Sequence, residues 1–307
     1  MTPRKRPVCG LDIGTQSITL TQCFPGESII TNISIQPLDT EGGDFWTAVN
    51  EGFSALVAGL RLGGADVVVS LPGEYSIIKR IALDNDEQDV EPALEWELGQ
   101  HIIGAMEDYV FDFQRCAQQS HDDHRDFLVV GYRKTSVDRI VKLLRNHKLN
   151  PLIVDLDLFA LINVHEINYA DLIAEPTLVV HGDGGKSKLA LTRQGDFFDS
   201  ETAEYDADRI SSEEYVASIN DAAQKLVSCN TDFVDSPADL KIYVTGRLFS
   251  NAQFAEEVLK GLGNAEVLHP FKEVSCSAGM TEEDLNTYSP QLAVAVGLAM
   301  RGLDEVE

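Results

Sequence analysis

The side chains best suited to chemistry follow a short apolar run near the start of this 307-residue chain. Asp12 ends that run, and Gly14, Thr15, Gln16 and Ser17 come directly after it. Alternating polar and apolar residues then resume, which predicts a β-hairpin with these groups at its tip. Successive N–H groups in such a turn can cradle a phosphate, while the aspartate manages a metal-bound water. The competing interpretation is turn formation alone, because Gly, Thr and Ser are ordinary turn residues.

A second segment, in the other half of the chain, repeats this pattern. An apolar strand is followed by Asp183, Gly184 and Gly185, and then by Lys186 and an alternating strand. The stretch that starts at Asp12 can be aligned with the one that starts at Asp183. This indicates an internal duplication that would supply two phosphate-binding turns.

Composition excludes several classes of function. The chain has 24 basic and 50 acidic residues and a net charge of −26, which repels nucleic acid and anionic lipid heads. No apolar run approaches the roughly 20 residues of a membrane span, and no signal-peptide core is present, so we expect a cytoplasmic protein without direct membrane insertion. Its five cysteines form no CxxC pair, which is typical of a reducing compartment. His121 and His124 come nearest to a metal motif but lack further ligands nearby in sequence.

Hydrophobic periodicity predicts an α/β chain with three parts. A first lobe takes residues 1–75 together with 150–175, and a second lobe takes residues 176–307. Between the two pieces of the first lobe, residues 76–149 show the order strand–helix–strand–strand–helix. That order predicts a small inserted α+β subdomain.

Two local expectations concern the second lobe. Only a loop is expected between the hairpin that ends near Asp199 and the helix that begins at Ser212. The last helix is predicted to begin with Ser289 as its N-cap and Pro290 at its first helical position.

We predict no catalytic residues. Asp155 and Asp157 could supply the general base of an ATPase or kinase, but their place between a strand and a helix favours capping. His165 lies near the end of the same predicted helix and is interpreted as structural. The spacing of serine, cysteine and histidine residues indicates no nucleophilic site.

Four longer segments resemble one family. "CGLDIGTQSITL" and "EPALEWELGQHIIGAMEDYVFDFQ" resemble PilM, a cytoplasmic actin-like protein of type IV pilus assembly, and its counterpart MshI in mannose-sensitive haemagglutinin (MSHA) pilus systems. "LVVGYRKTSVDRIVKLLRNHKLNPLIVDLDLFALINV" is the most specific match, and "YSPQLAVAVGLAMRGL" is similar to the last helix of PilM. The resemblance covers residues 8–303. It implies a two-lobed actin-like (ribonuclease H-like) fold, an inserted subdomain of the FtsA and PilM kind, and a second lobe shortened by the loss of its usual subdomain.

The resemblance also implies a cofactor. In the actin-like ATPase superfamily, two hairpins clamp the phosphates of ATP and its Mg²⁺ between the lobes. Carried over by position, this site has Asp12 toward the metal and is built from Asp12, Gly14, Thr15, Gln16, Ser17, Asp183, Gly184, Gly185, Lys186 and Gly246.

Three departures from the family pattern count against nucleotide binding. An ungapped match of the second hairpin puts His181 where the family has aspartate, whereas a two-residue shift recovers Asp183. Arg247 and Leu248 follow Gly246 in a loop that is usually rich in glycine, where a Cβ would collide with a nucleoside. The subdomain that forms one lip of the family's cleft has no room here, so less of a ligand would be buried.

These observations predict a scaffold for type IV pilus assembly of the MSHA type, with a degenerate nucleotide cleft. Its expected partner is the N-terminal cytoplasmic peptide of a PilN-like bitopic membrane protein, which would hold the chain at the inner membrane. No nucleic-acid partner is expected, and a homo-oligomer is compatible with the sequence. The alternative is an active ATPase or small-molecule kinase of the same superfamily. Such an enzyme would need two intact phosphate turns, an adenosine loop and a catalytic acid.

Overall fold

The computed structural model describes residues 6–40, 43–117, 123–206 and 209–306. The chain divides into two compact units, of which Pro72–Asn146 is the smaller and the remaining residues form the larger. Helices alternate with strands that form three sheets, so the predicted α/β class is confirmed.

The secondary structure elements are numbered in chain order. They are β1 (Val8–Ile13), β2 (Ser17–Phe24), β3 (Glu27–Pro37), α1 (Phe45–Val57), β4 (Asp66–Leu71), β5 (Ser76–Asp84), α2 (Val90–Gly99), β6 (Tyr109–Arg115), β7 (His124–Arg133), α3 (Lys134–Asn146), β8 (Asn150–Leu156), α4 (Asp157–Asn168), β9 (Thr177–Asp183), β10 (Lys186–Arg193), β11 (Asp196–Glu204), α5 (Ser212–Cys229), β12 (Lys241–Thr245), α6 (Ala252–Leu262), β13 (Ala265–Val267), β14 (Ser275–Cys276) and α7 (Glu282–Val306).

The larger unit contains the same sheet topology twice. One sheet has the order β14-β3-β2-β1-β4-β8, and the other has the order β11-β10-β9-β12-β13. Five strands of each sheet follow one pattern, in which three antiparallel strands are followed by two parallel ones, and the first sheet has β14 as an additional strand parallel to β3. The duplication that the two hairpins indicate therefore extends to whole sheets, and each sheet forms the centre of one lobe.

Helices α4 and α7 pack between the two sheets. They contact strands of both sheets and share one buried core with residues such as Val68 of the first lobe and Val179 of the second. Close backbone approach fixes α7 in place. A Cβ on Gly10 of β1 would lie 1.9 Å from the carbonyl oxygen of Ala295, and a Cβ on Gly297 would lie 2.0 Å from that of Ala160. Only glycine allows these contacts.

The predicted start of the last helix is wrong. Helix α7 begins at Glu282, so Pro290 lies inside it, and Ser289 is not its N-cap. Proline has no N–H to donate within the helix. The hydroxyl of Ser289 donates to the carbonyl oxygen of Asn286 instead, at 3.1 Å. The carbonyl oxygen of Pro290 accepts the hydroxyl of Thr245 at 2.7 Å, which joins α7 to β12.

The loop expected after Asp199 is only partly correct. Residues Asp196–Glu204 form β11, an edge strand that pairs with β10 along its length. Its sequence, "DFFDSETAE", alternates weakly and is polar, because one side of an edge strand faces solvent. Residues 205–211 then lead to α5, and a segment of that length cannot hold a subdomain.

The smaller unit has a three-stranded sheet of order β5-β7-β6. Its element order, β5-α2-β6-β7-α3, is the one predicted. Leu94 and Leu98 of α2 pack on this sheet and are fully buried, whereas Trp96 is 65% exposed. Of the histidines considered as metal ligands, His124 forms ion pairs with acidic neighbours on the strand ends, and His121 lies outside the described residues.

None of the described helices combines the length and the apolar content that a membrane crossing requires.

Candidate functional site

The tips of the two predicted hairpins contact each other. The backbone N–H and the hydroxyl of Thr15 both donate to Oδ2 of Asp183, at 3.3 and 3.1 Å, although the residues are 168 positions apart. Nε of Arg247 lies 3.9 Å from Oδ1 of the same carboxylate. A Cβ on Gly184 would lie 2.3 Å from Oγ1 of Thr15, so the two turns approach as closely as glycine permits. The structure therefore brings the two sets of predicted turn residues together.

Strand pairing decides how the hairpins correspond. Each turn has two central residues. Starting from them, the paired residues of the two strands can be counted outward in both hairpins and compared position by position. By this count Asp12 corresponds to His181, and Gly14 corresponds to Asp183. The parallel pairing of β1 with β4 and of β9 with β12 gives the same correspondence. The ungapped alignment is therefore correct and the shifted one is wrong, since the equivalent of Asp12 is His181 and Asp183 lies two residues further along the chain.

Asp12 lies at the buried end of β1. Its Oδ1 accepts a hydrogen bond from the hydroxyl of Ser70 on β4, at 2.7 Å. Burial raises its pKa to about 7, and the hydrogen bond from Ser70 opposes that rise. The neighbouring carboxylates of Asp157 and Asp183 raise the pKa further, whereas Lys188 lowers it. The carboxyl group of Asp12 therefore holds a proton more readily than that of an exposed aspartate.

An ion pair joins the two lobes beside Asp12. Nζ of Lys188 on β10 contacts Oδ2 of Asp157, the first residue of α4. Burial by itself would raise the pKa of Asp157, but the charge of Lys188 holds it below its usual range. Burial lowers the pKa of His181, and its Nδ1 has no hydrogen-bond partner among the described residues. The lysine charge is thus neutralised within the protein.

Other predicted contacts serve neighbouring elements. Lys186 pairs with Glu204 across the β10–β11 edge, with Nζ 3.4 Å from Oε1. Gly246 has a φ of 99°, and a Cβ there would lie 2.3 Å from the carbonyl oxygen of Gly182. Leu248 packs against the same point of β9. Glycine at position 246 is therefore explained by its contact with β9.

Two of the remaining predicted turn residues make hydrogen bonds to other elements, and the third has a positive φ. Nε2 of Gln291 on α7 donates to the hydroxyl of Ser17 at 3.2 Å. The carbonyl oxygen of Gln16 accepts the N–H of Leu38 at 2.8 Å. Gly185 has a φ of 92°, which the tight second turn requires.

The polar side chains of the two turns are engaged with other residues of the chain. Thr15 directs its N–H and hydroxyl to Asp183, Lys188 is paired with Asp157, and Lys186 is paired at the sheet edge. In the described ranges no group of three or more His, Cys, Asp or Glu side chains is arranged to hold a metal ion. The donors that a phosphate would need are engaged within the chain.

Three residues were assigned structural roles, and neither aspartate caps α4, because the N-cap is Leu156 and the helix has no side-chain cap. Asp155 accepts the N–H of Leu156, and Asp157 accepts the N–H of Leu158, each at 2.8 Å, at the junction of β8 and α4. His165 is buried in the last turn of α4 and stacks on Tyr169, with ring centroids 5.5 Å apart. Burial lowers the pKa of His165 to about 4, so it is neutral in the folded protein.

Two residues of the site were not predicted. Ser70 is the partner of Asp12, and Gln291 is the partner of Ser17. A serine near the end of the valine-rich strand "DVVVSL" was an available signal, because a buried hydroxyl needs a partner. For Gln291 the sequence gives no such signal, since α7 reaches the first turn only after the chain has folded.

The duplicated sheets and the paired hairpins define a protein of the actin-like class. A structure from Bacteroides thetaiotaomicron, described as a protein with actin-like ATPase fold and unknown function, shares 9% identity and a TM-score of 0.52, over 92% of this chain and 96% of its own. The ethanolamine utilization protein EutJ from Carboxydothermus hydrogenoformans shares 13% identity and a TM-score of 0.52, over 98% and 90%. At these identities the likeness shows the fold, and it confirms the predicted actin-like architecture.

The family is narrower than the class. Residues 10–177 match the family described as type IV pilus assembly protein PilM, and the chain belongs to that family. A chain of a structure described as the PilM–PilN type IV pilus biogenesis complex is similar over 98% of this chain and 99% of its own, with 21% identity and a TM-score of 0.79. The chain has no significant match among curated protein sequences.

Proposed function

We propose that this PilM-family chain is a scaffold in type IV pilus assembly and binds the cytoplasmic tail of a PilN-like inner-membrane protein. The observation that carries the proposal is the family match over residues 10–177, together with a full-length structural likeness to a chain of a PilM–PilN complex. The narrower assignment to an MSHA-type pilus is supported by the sequence resemblance to MshI and by the short segment between β11 and α5.

The charge of the chain supports a protein tether. With a net charge of −26, the surface repels the anionic lipids of a membrane. A peptide that docks through apolar contacts provides attachment without that electrostatic cost. We therefore place the chain in the cytoplasm, at the periphery of the inner membrane, with a membrane protein as its anchor.

The proposal includes a cleft that does not turn over nucleotide. Phosphoryl transfer depends on several groups that position the phosphates and stabilise charge at once. Here His181 stands in the second lobe at the equivalent of Asp12, and Lys188 is paired with Asp157. These features support a scaffold rather than an ATPase or kinase.

A tryptophan in each unit makes peptide binding measurable. Trp46 is buried in α1 of the larger unit, and Trp96 is exposed on α2 of the smaller one. In a full-length Trp46→Phe variant, all tryptophan fluorescence comes from Trp96. We expect a synthetic N-terminal tail of a PilN-like protein from the same organism to bind and to change the emission of Trp96. A scrambled peptide of the same composition is the control.

The same protein should show no ATP hydrolysis above that of a buffer blank. If calorimetry on the wild-type chain detects no difference between the native and scrambled tails, the proposed partner is wrong. Multiple turnover of ATP that is lost in Asp12→Ala would replace the scaffold proposal with an enzymatic one.

A further inference from the structure

The carboxylate of Asp183 accepts two hydrogen bonds from Thr15 and lies near one cation. It receives the backbone N–H and the hydroxyl of Thr15, at 3.3 and 3.1 Å, and the guanidinium of Arg247 lies 3.9 Å away. A turn N–H, a hydroxyl and an arginine are the donors that proteins commonly direct at a phosphate. Thr15 of the first hairpin and Arg247 after β12 together therefore supply the groups of an anion site, and the anion bound there is the carboxylate of Asp183.

The duplication shows what is unusual about this carboxylate. By strand pairing, Asp183 is the counterpart of Gly14 in the first hairpin. A Cβ on Gly14 would lie 3.1 Å from Oδ2 of Asp183, so that side of the turn is filled by the aspartate. Replacing Asp183 by the residue of its own counterpart, glycine, would remove the carboxylate and keep the hairpin backbone.

We infer that Asp183 is an internal ligand that occupies the phosphate-binding turn of the first lobe and closes the cleft against nucleotides. The inference rests on the proposed function only in that both require a cleft without bound nucleotide. A phosphate could reach Thr15 only by displacing a tethered carboxylate, whose effective concentration is on the order of millimolar or higher. The displaced carboxylate would then repel the phosphate from close range.

Nearby cations do not offset this competition. Lys188 is paired with Asp157, and Lys186 is paired with Glu204. Arg247 is about half exposed and is the cation nearest to the carboxylate among the described ion pairs. Removal of Asp183 therefore releases the hydroxyl and N–H of Thr15 and the charge of Arg247 together, and an anion site results.

The test is calorimetric titration of the full-length chain with pyrophosphate and, separately, with ATP. We expect Asp183→Gly to bind pyrophosphate at least tenfold more tightly than the wild type. Asp183→Asn, which loses the charge but keeps an oxygen that Thr15 can donate to, should bind it more tightly than the wild type by a smaller factor. Adding Thr15→Val to Asp183→Gly should remove most of that gain. Asp232→Asn, which neutralises an exposed carboxylate of the same lobe, is the control for net charge and should behave as the wild type.

Asp183→Asn keeps the size of the side chain, so it guards against a variant that fails to fold, and circular dichroism checks both variants. Two results would overturn the inference: wild-type protein that binds pyrophosphate as tightly as Asp183→Gly, or folded Asp183 variants that bind no better than the wild type. Tail-peptide binding is measured in the same samples. Loss of peptide binding alone would count against the proposed function, and an unchanged pyrophosphate affinity alone counts against the internal ligand.

Discussion

The ion pair between Lys188 and Asp157 gives the sharpest test of how the lobes are held together. Asp157 is nearly fully buried, and Lys188 is about a quarter exposed. Removing one partner of a buried pair typically costs about 3–5 kcal/mol, because the other charge is left without compensation. Since Lys188 is partly exposed, we expect Lys188→Met to lower the free energy of unfolding of the larger unit by about 3 kcal/mol at pH 8.

The sign of the pH dependence follows from Asp157. In the wild type its pKa is lowered, so its contribution is present above the usual aspartate range and is lost only in strong acid. Without Lys188, burial would raise the pKa of Asp157 above the value in the unfolded chain. A raised carboxyl pKa contributes stability at low pH that is lost as the pH rises. The deficit of Lys188→Met should therefore be smaller at pH 5.5 than at pH 8.

The assay is urea unfolding followed by Trp46 emission in a Trp96→Phe background, so that the larger unit is observed. The lower pH stays above the isoelectric point of about 4.5, where the chain loses solubility. Lys186→Met is the matched control. Its lysine lies two residues away on the same strand and pairs with Glu204 at an exposed edge, a kind of pair worth about 0–1 kcal/mol.

A double variant completes the design. Asp157→Asn combined with Lys188→Met removes both charges and should recover at least half of the loss, because no uncompensated charge remains. A Lys188→Met deficit below that of Lys186→Met, or one that does not change between pH 5.5 and 8, would refute the reasoning.

Three further predictions follow from buried groups. Burial lowers the pKa of His165 to about 4, so its contribution to stability is present above pH 6.5 and declines as the pH falls toward 4. The free energy of unfolding should therefore decrease by about 1 kcal/mol between pH 7.5 and 5.5 because of this residue. Urea unfolding of His165→Phe should lack that decrease. Burial raises the pKa of Asp12 to about 7, so the free-energy cost of ionising it in the folded protein grows as the pH rises from 3.8 to 7. The stability of Asp12→Asn relative to the wild type should therefore increase by about 2 kcal/mol between pH 5.5 and 8. Equal plots of unfolding free energy against pH for the two proteins would contradict this. Gly297→Ala should destabilise by about 2 kcal/mol or more, since its Cβ would lie 2.0 Å from the carbonyl oxygen of Ala160, while Gly59→Ala, which meets nothing within 4 Å, should be neutral within about 1 kcal/mol by thermal unfolding.

Much of the fold can be predicted from local patterns in the sequence. The hairpin at Asp12, its repeat at Asp183 and the order of elements in the inserted subdomain are all visible as strand alternation, turn residues and helical periodicity. These features depend on neighbours a few residues away, so they can be predicted from short segments. The division into lobes at residues 75, 150 and 176 stays a prediction, because contacts group both lobes into one larger unit.

The errors arise where distant segments meet. Pro290 is inside α7 because Ser289 satisfies the carbonyl oxygen that a proline leaves free, and because the carbonyl of Pro290 is held by Thr245. The strand at 196–204 forms because β10 offers it a full edge to pair with. A proline and a polar, weakly alternating segment predict a helix start and a loop when they are considered alone.

The sequence by itself determined the class of fold, the family and the residues that line the two turns. Only the tertiary structure decided which residues correspond between the hairpins and what the turns bind to. Asp183 reaches Thr15 across 168 positions, and Lys188 reaches Asp157 from the opposite lobe. The physical reason is that hydrogen bonds and ion pairs depend on separations of a few ångströms, which strand register and the packing of α4 and α7 between the sheets fix and which sequence spacing does not reveal.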